Sequence, residues 1–176
     1  MTRSVLLLRA VNVSGRNRVP MAELRALLAE RTDLTGVSTY IASGNIICDA
    51  PADAAASCAL VRKAIEVEFA VDTPVIARSH DELVASVAAQ PFDDGVEKFV
   101  HAMFLGAAPA SGAVDALEER LVPGERLALV GHDLWIDFAK GMQGTKLTKS
   151  VFDRALGVAG TARNLRTVRA LVDLTA

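Results

Sequence analysis

Two cysteines, three histidines and an aromatic content of only 5% leave this chain short of the side chains on which most catalytic and metal-binding sites are built. Cys48 and Cys58 match no metal-ligand spacing and are too few for a disulfide framework, so reduced, buried thiols are expected. His80 precedes a predicted helix, His101 is mid-strand and His132 sits in a predicted turn. No pair of them has metal spacing, no cysteine or serine partner can be assigned, and no metal site is expected. The Gly-x-Ser-x-Gly elbow of serine hydrolases is missing. The first apolar run, Val5 to Leu8, ends at Arg9. It is too short for a signal core or a membrane span, so a soluble, cytoplasmic protein with no membrane partner is expected.

What remains favours folding. A hydrophobic content of 51% with 23% charged residues suffices for a packed core, and 176 residues make one domain or two small ones. Ser4 to Val11 reads as a strand. Asn12 to Val19 then forms a loop into a helix that opens at Pro20 and turns Met21, Leu24, Leu27 and Leu28 to one side. Val37 to Ala42 and Asn45 to Asp49 read as a hairpin turning at Ser43-Gly44. Asp53 to Phe69 has helical spacing through Ala56, Leu60, Ala64 and Val67, and Thr73 to Arg78 is a short β-branched strand.

The second half follows the same order. After a linking helix from about Asp81 to Ala89 come a strand at Lys98 to Leu105 and a helix at Ala113 to Leu121. Strands flank Gly131-His132-Asp133, at Arg126 to Val130 and Leu134 to Ala139. A helix from Lys146 to Leu156 stops at Gly157, a short strand precedes Asn164, and a last helix runs from Leu165 to Leu174. The expectation is an α+β protein of two tandem ferredoxin-like βαββαβ subdomains, residues 1–79 and 80–176, with an extra linking helix and C-terminal helix. The duplication rests on element order, without visible sequence identity between the copies.

In that topology the end of the first strand and the hairpin after the second share one edge. Asn12, Arg16, Asn17 and Arg18 are thereby brought toward Ser43 and Asn45. By the same rule the loop from Lys140 to Lys146 is expected near Arg163 and Asn164.

Charge points to the same places. Between Lys140 and Arg169 seven basic residues stand against one acid, Asp153, in a chain of net charge −2. Outside Arg3 to Ala22 and Lys140 to Val172 there are eight basic and twenty acidic residues. That background repels a long polyanion, and apolar strands without the aromatic signature of an RNA-binding sheet argue against a long nucleic acid as partner. Basic side chains where helices begin oppose the partial positive charge there, which an anionic ligand would offset. The Gly141-Met142-Gln143-Gly144-Thr145-Lys146 loop suits such an anion but lacks Walker A spacing.

Several segments resemble a bacterial family called domain of unknown function 1697. They are Leu8-Arg9-Ala10-Val11-Asn12-Val13 with Arg16 to Leu24, Thr39 to Asn45, and Lys146-Leu147-Thr148 followed by Gly157 and Thr161 to Asn164. The resemblance implies an α+β protein of two related subdomains and no established activity. It marks Arg9, Asn12, Pro20, Ser43, Gly44, Asn45, Lys146, Arg163 and Asn164 as recurring positions. Ala42 and Thr145 depart from it, standing where a more polar residue is expected.

Together these observations point to a small anionic, phosphate-bearing ligand. The candidate ligand-binding residues are Arg9, Asn12, Arg16, Arg18, Ser43, Asn45, Lys140, Lys146, Arg163 and Asn164. Asn12, Ser43 and Asn45 have an alternative role as turn formers bonded to their own backbone, and Arg9 as half of a salt bridge. An enzyme acting on a phosphorylated molecule and an interaction module using Phe99, Phe104, Trp135 and Phe138 are the alternative classes. The sequence names no catalytic residue, no cofactor and no oligomeric state.

Overall fold

A computed structural model describes residues 2–176. Its first seven elements are β1 (Arg3–Leu8), α1 (Met21–Arg31), β2 (Ser38–Tyr40), β3 (Asn45–Asp49), α2 (Ala54–Phe69), β4 (Val75–Ser79) and α3 (His80–Ala88). The next seven are β5 (Val100–Leu105), α4 (Ala113–Glu118), β6 (Arg126–Val130), β7 (Asp133–Asp137), α5 (Lys149–Leu156), β8 (Gly160–Asn164) and α6 (Leu165–Thr175). The protein is α+β, with two four-stranded antiparallel sheets ordered β2-β3-β1-β4 and β6-β7-β5-β8. Its compact units are the residues up to Val84 with Leu171–Ala176, and Ala85–Ala170.

In the first unit one face of the sheet packs Leu6, Leu8, Ile46 and Cys48 against Leu24 and Leu28 of α1 and Val61 and Ile65 of α2. Val5, Leu7 and Ile47, on the alternate positions, are buried as well, which is why these strands read as unbroken apolar runs. In the second unit Met103, Leu105, Leu134 and Ile136 pack with Leu117 of α4 and Phe152 and Leu156 of α5.

Helix α1 buries the face expected of it, Leu24, Leu27 and Leu28. Helix α2 does not. Its buried residues are Ser57, Val61 and Ile65, while Leu60 and Val67 are exposed. The helix carries two apolar stripes one residue apart, so spacing alone does not choose between them. Helix α5 begins at Lys149, three residues later than the spacing predicts, because Thr148 supplies the cap with its side chain toward the Val151 amide. Lys146 therefore lies in a loop.

The two sequences of elements share a local signature. Ala77-Arg78-Ser79 ends β4 and Ala162-Arg163-Asn164 ends β8. Arg78 stands opposite Val5, and Arg163 opposite Ala102, at matching register positions. Each arginine donates Nη1 to the carbonyl of the alanine before it, at 2.9 and 2.8 Å. The next side chain caps the following helix: Ser79 Oγ accepts from Glu82 N and Asn164 Oδ1 from Thr167 N. Glu82 returns a bond to Ser79 N at 2.7 Å, completing a capping box. Each half is thus β-α-β-β-α-β-α, and α3 corresponds to α6.

Gly44 fixes where the β2–β3 turn meets β1. Leu8 donates its amide to the Gly44 carbonyl at 2.8 Å. Gly44 has φ +81°, and a Cβ there would lie 2.7 Å from the Cβ of Leu8 and 2.9 Å from Val11. Gly15, at φ +75°, has open space around it. Gly44→Ala is expected to cost about 2–4 kcal/mol in urea unfolding and Gly15→Ala only about 1 kcal/mol, since both suffer the left-handed backbone but only the first also collides.

Candidate functional site

Strand β1 ends at Leu8, short of the expected Val11, because the chain turns sharply into left-handed backbone. Ala10, Asn12, Ser14, Gly15 and Asn17 all have φ between 50° and 75°. The reversal between Val13 and Arg16 is a miniature hairpin: the two residues pair across an isolated antiparallel bridge, and Arg16 N donates to Val13 O at 2.9 Å. Asn12 N donates to Asn17 O at 2.9 Å one step further down. Positive φ at both Ser14 and Gly15 is the sign pattern of a type I′ turn.

Two asparagines fasten this hairpin to the body. The Asn12 side chain accepts from Val19 N at 2.8 Å and donates to Val19 O at 2.9 Å and Ala42 O at 2.8 Å. Asn17 Nδ2 donates to Ala10 O at 2.9 Å. In the adjoining turn Asn45, fully buried, donates to Tyr40 O at 2.8 Å and Ser43 Oγ at 3.1 Å. Asn12, Ser43 and Asn45 are therefore brought together at one edge of the first sheet, with their polar atoms directed to the protein's own backbone and to one another.

The arginines of this edge divide. Arg16 and Arg18 are exposed and enter none of the ion pairs among the described residues. Arg9 is half-buried and its backbone is held by Thr73, whose hydroxyl accepts from Arg9 N and donates to Arg9 O. Arg25, on α1, reaches Thr39 Oγ1 at 2.6 Å. No acidic residue occurs in 9–22 or in 34–48, so the edge is positive for want of carboxylates.

At the second sheet β7 and β8 end on the same side, Asp137 opposite Val100 and Asn164 opposite His101. Lys140 and Lys146 are exposed and, among the described residues, unpaired. Neighbouring charges are already engaged, Lys149 with Asp153 at 2.9 Å and Arg169 with Glu97 at 3.0 Å. Arg163 is buried, 6% exposed, and donates to Thr161 Oγ1 at 2.9 Å. Burial pulls its guanidinium down to about 10. Asn164 is occupied as the cap of α6.

His101 lies at this end of β5, its Nδ1 3.0 Å from Phe99 O and its ring edge-on to Phe138 at 5.1 Å. Burial lowers its pKa below the ordinary 6.5. Phe104, Trp135 and Phe138 are buried, whereas Phe99 is half-buried beneath Lys98 Nζ, 4.7 Å from its ring centre. Both cysteines are held up at about 11 by burial and are poor nucleophiles.

A cleft of about 410 Å³ opens at the opposite edge of the first sheet, lined by Asp33, Thr35, Asp49, Asp53 and Ser57 among others. Two of its acids already have work: Asp49 pairs with Arg3 at 3.9 Å and accepts from Thr35, and Asp53 caps α2 through Ala56 N. Among the described residues no three His, Cys, Asp or Glu side chains are grouped to hold a metal ion, and no helix is long and apolar enough to cross a membrane.

The candidate ligand set left out Asn17, although connection rules place it on this edge, and it missed Arg25. The Ser14-Gly15 dipeptide between Val13 and Arg16 was the available signal for the hairpin that Asn17 closes. Nothing in the sequence pointed to the contact of Arg25 with Thr39, which requires α1 to be packed beside β2.

Asn12→Ala should cost about 2–4 kcal/mol in chemical denaturation, since three backbone groups lose their partner and alanine is strained at φ 52°. For His101 the unfolded imidazole takes its proton near pH 6.5 and the folded one at lower pH, so the unfolded chain binds more protons between those values. Stability should rise with pH across that window, and His101→Gln should flatten this rise in urea titrations between pH 5 and 7.

No curated protein matches the chain. Among solved structures, the conserved bacterial protein SP0830 from Streptococcus pneumoniae is similar with a TM-score of 0.73 at 20% sequence identity, covering 99% of this chain and 99% of that one. The likeness establishes a common fold across the whole length. The family model described as "Protein of unknown function (DUF1697)" matches residues 1–135, a stretch that takes in the β1–α1 hairpin, the Asn45 turn and the strands through Trp135, and the chain belongs to that family.

Proposed function

We propose that this protein consists of two ferredoxin-like subdomains, residues 1–79 and 80–176, whose basic loops bind a small phosphate-bearing molecule. The sheet orders with their crossing helices support the first part. One observation carries the second: Arg16 and Arg18 stand exposed and without an ion pair among the described residues on an acid-free edge. Left-handed backbone holds their loop in place, at a cost of order 1–3 kcal/mol at each strained residue. Flexible surface arginines need no such scaffold, whereas a binding loop gains from it because less freedom is lost when the ligand arrives.

In this reading Arg16 and Arg18 supply charge at the first edge, and Lys140 and Lys146 at the second. Asn12, Ser43 and Asn45 shape the first loop, Arg163 and Asn164 fix the end of β8 beside the second, and Arg9 contributes through its place at the end of β1. A compact dianion suits such a set better than a long nucleic acid, since the rest of the chain is acidic. Binding is the form proposed, because the charges named here supply attraction and, among the described residues, no group of three His, Cys, Asp or Glu side chains accompanies them.

Inorganic phosphate, pyrophosphate, a nucleoside monophosphate and a hexose phosphate form the test panel, read by thermal unfolding at low salt. A ligand at 100 times its Kd should stabilise the fold by about 2.7 kcal/mol, or roughly 5–10 °C for a chain of this size. Arg16→Ala with Arg18→Ala should abolish the shift from the first edge, and Lys140→Ala with Lys146→Ala that from the second. Unchanged melting with every phosphate compound would overturn the reading.

A further inference from the structure

We infer that the ligand of the first edge carries an apolar group beside its phosphate, making it a phosphate monoester of a hydrophobic alcohol; the inference rests on the phosphate-binding reading above. The reason is what this edge presents outward. Its polar side chains Asn12, Asn17 and Asn45 donate to the backbone or to Ser43, so few outward amides remain to recognise the hydroxyls of a sugar.

What faces solvent beside the cations is aliphatic. Val13 is 55% exposed and Ile41 is 48% exposed. Val13 opposes Arg16 across the hairpin bridge, and directly opposed residues project to the same face. The bond from Asn12 Nδ2 to Ala42 O, 2.8 Å long, joins the immediate neighbours of Val13 and Ile41 and holds the two turns together. Ile41 adopts φ 49°, a left-handed conformation that is a true outlier for a β-branched residue. Asparagine or glycine would relieve it, and burial within its own turn does not repay it, because nearly half of the side chain is exposed.

Two aliphatic side chains next to two unpaired arginines, with no carboxylate in 9–22 or 34–48, complement an anionic head on an apolar body. Free phosphate would satisfy the arginines and leave Val13 and Ile41 wet. A monoester would cover both.

The test compares inorganic, methyl, butyl and hexyl phosphate by calorimetric titration of the full chain, each below its aggregation concentration. Affinity should tighten about twofold to fourfold per methylene as the alkyl chain covers the aliphatics. Val13→Ser with Ile41→Asn should remove this chain-length dependence and keep the affinity for inorganic phosphate. Both sites are exposed and asparagine tolerates positive φ, so the variant should unfold at the same urea concentration as the parent or higher. Arg16→Ala with Arg18→Ala should weaken every member of the series. Equal affinity for methyl and hexyl phosphate would sink the apolar component and leave phosphate binding standing, while no binding by any of the four would remove both. Binding confined to vesicles containing phosphatidic acid, with none to soluble hexyl phosphate, would reassign the edge to a bilayer surface and overturn the small-ligand proposal.

Discussion

Asn12 is the constraint on which the first sheet edge depends. Its one side chain satisfies the amide and carbonyl of Val19 and the carbonyl of Ala42, so a single residue fixes the start of α1, the exit from β1 and the turn between β2 and β3. Buried or half-buried backbone groups in a loop need such partners, because no neighbouring strand supplies them. Once they are satisfied locally, the hairpin of Val13 and Arg16 can stand clear of the sheet without leaving orphan donors behind it. The absence of a side chain on Gly44 serves the same junction, letting the turn approach Leu8 and Val11 more closely than any Cβ would allow.

The consequence is a division of labour among polar residues. Amides and hydroxyls at the sheet ends turn inward and build shape, while arginines and lysines that find no acid turn outward. The arginines at the ends of β4 and β8 behave differently again. Arg78, half-buried, and Arg163, buried, occupy matching positions at the ends of β4 and β8 and donate to the carbonyls of Ala77 and Ala162, one residue before the side chain that caps the following helix. A guanidinium serves there because its several N–H groups reach more than one acceptor from a fixed plane.

The shared order of elements in the two halves was legible in the sequence, but not the residues that match. Ala77-Arg78-Ser79 and Ala162-Arg163-Asn164 are the same device written with different caps, and serine and asparagine are interchangeable there because either oxygen meets the amide three residues on. Without the strand register nothing sets those two triplets side by side. Helix α2 shows the converse limit. Its existence and bounds followed from spacing, yet its buried face is Ser57, Val61 and Ile65, since two apolar stripes ran along it and only packing against the sheet selects one.

By itself the sequence determined the order of elements, the α+β class, the two stretches poor in acids and the family, because these depend on local periodicity, turn chemistry and composition, which are properties of neighbouring residues. It also brought Asn12 toward Ser43 and Asn45, since strand order in a sheet follows from connection rules. Tertiary structure alone decided which polar groups are spent on the fold and which remain outward. Whether Arg163 is buried or Arg18 exposed depends on neighbours far along the chain, and no local pattern carries that information.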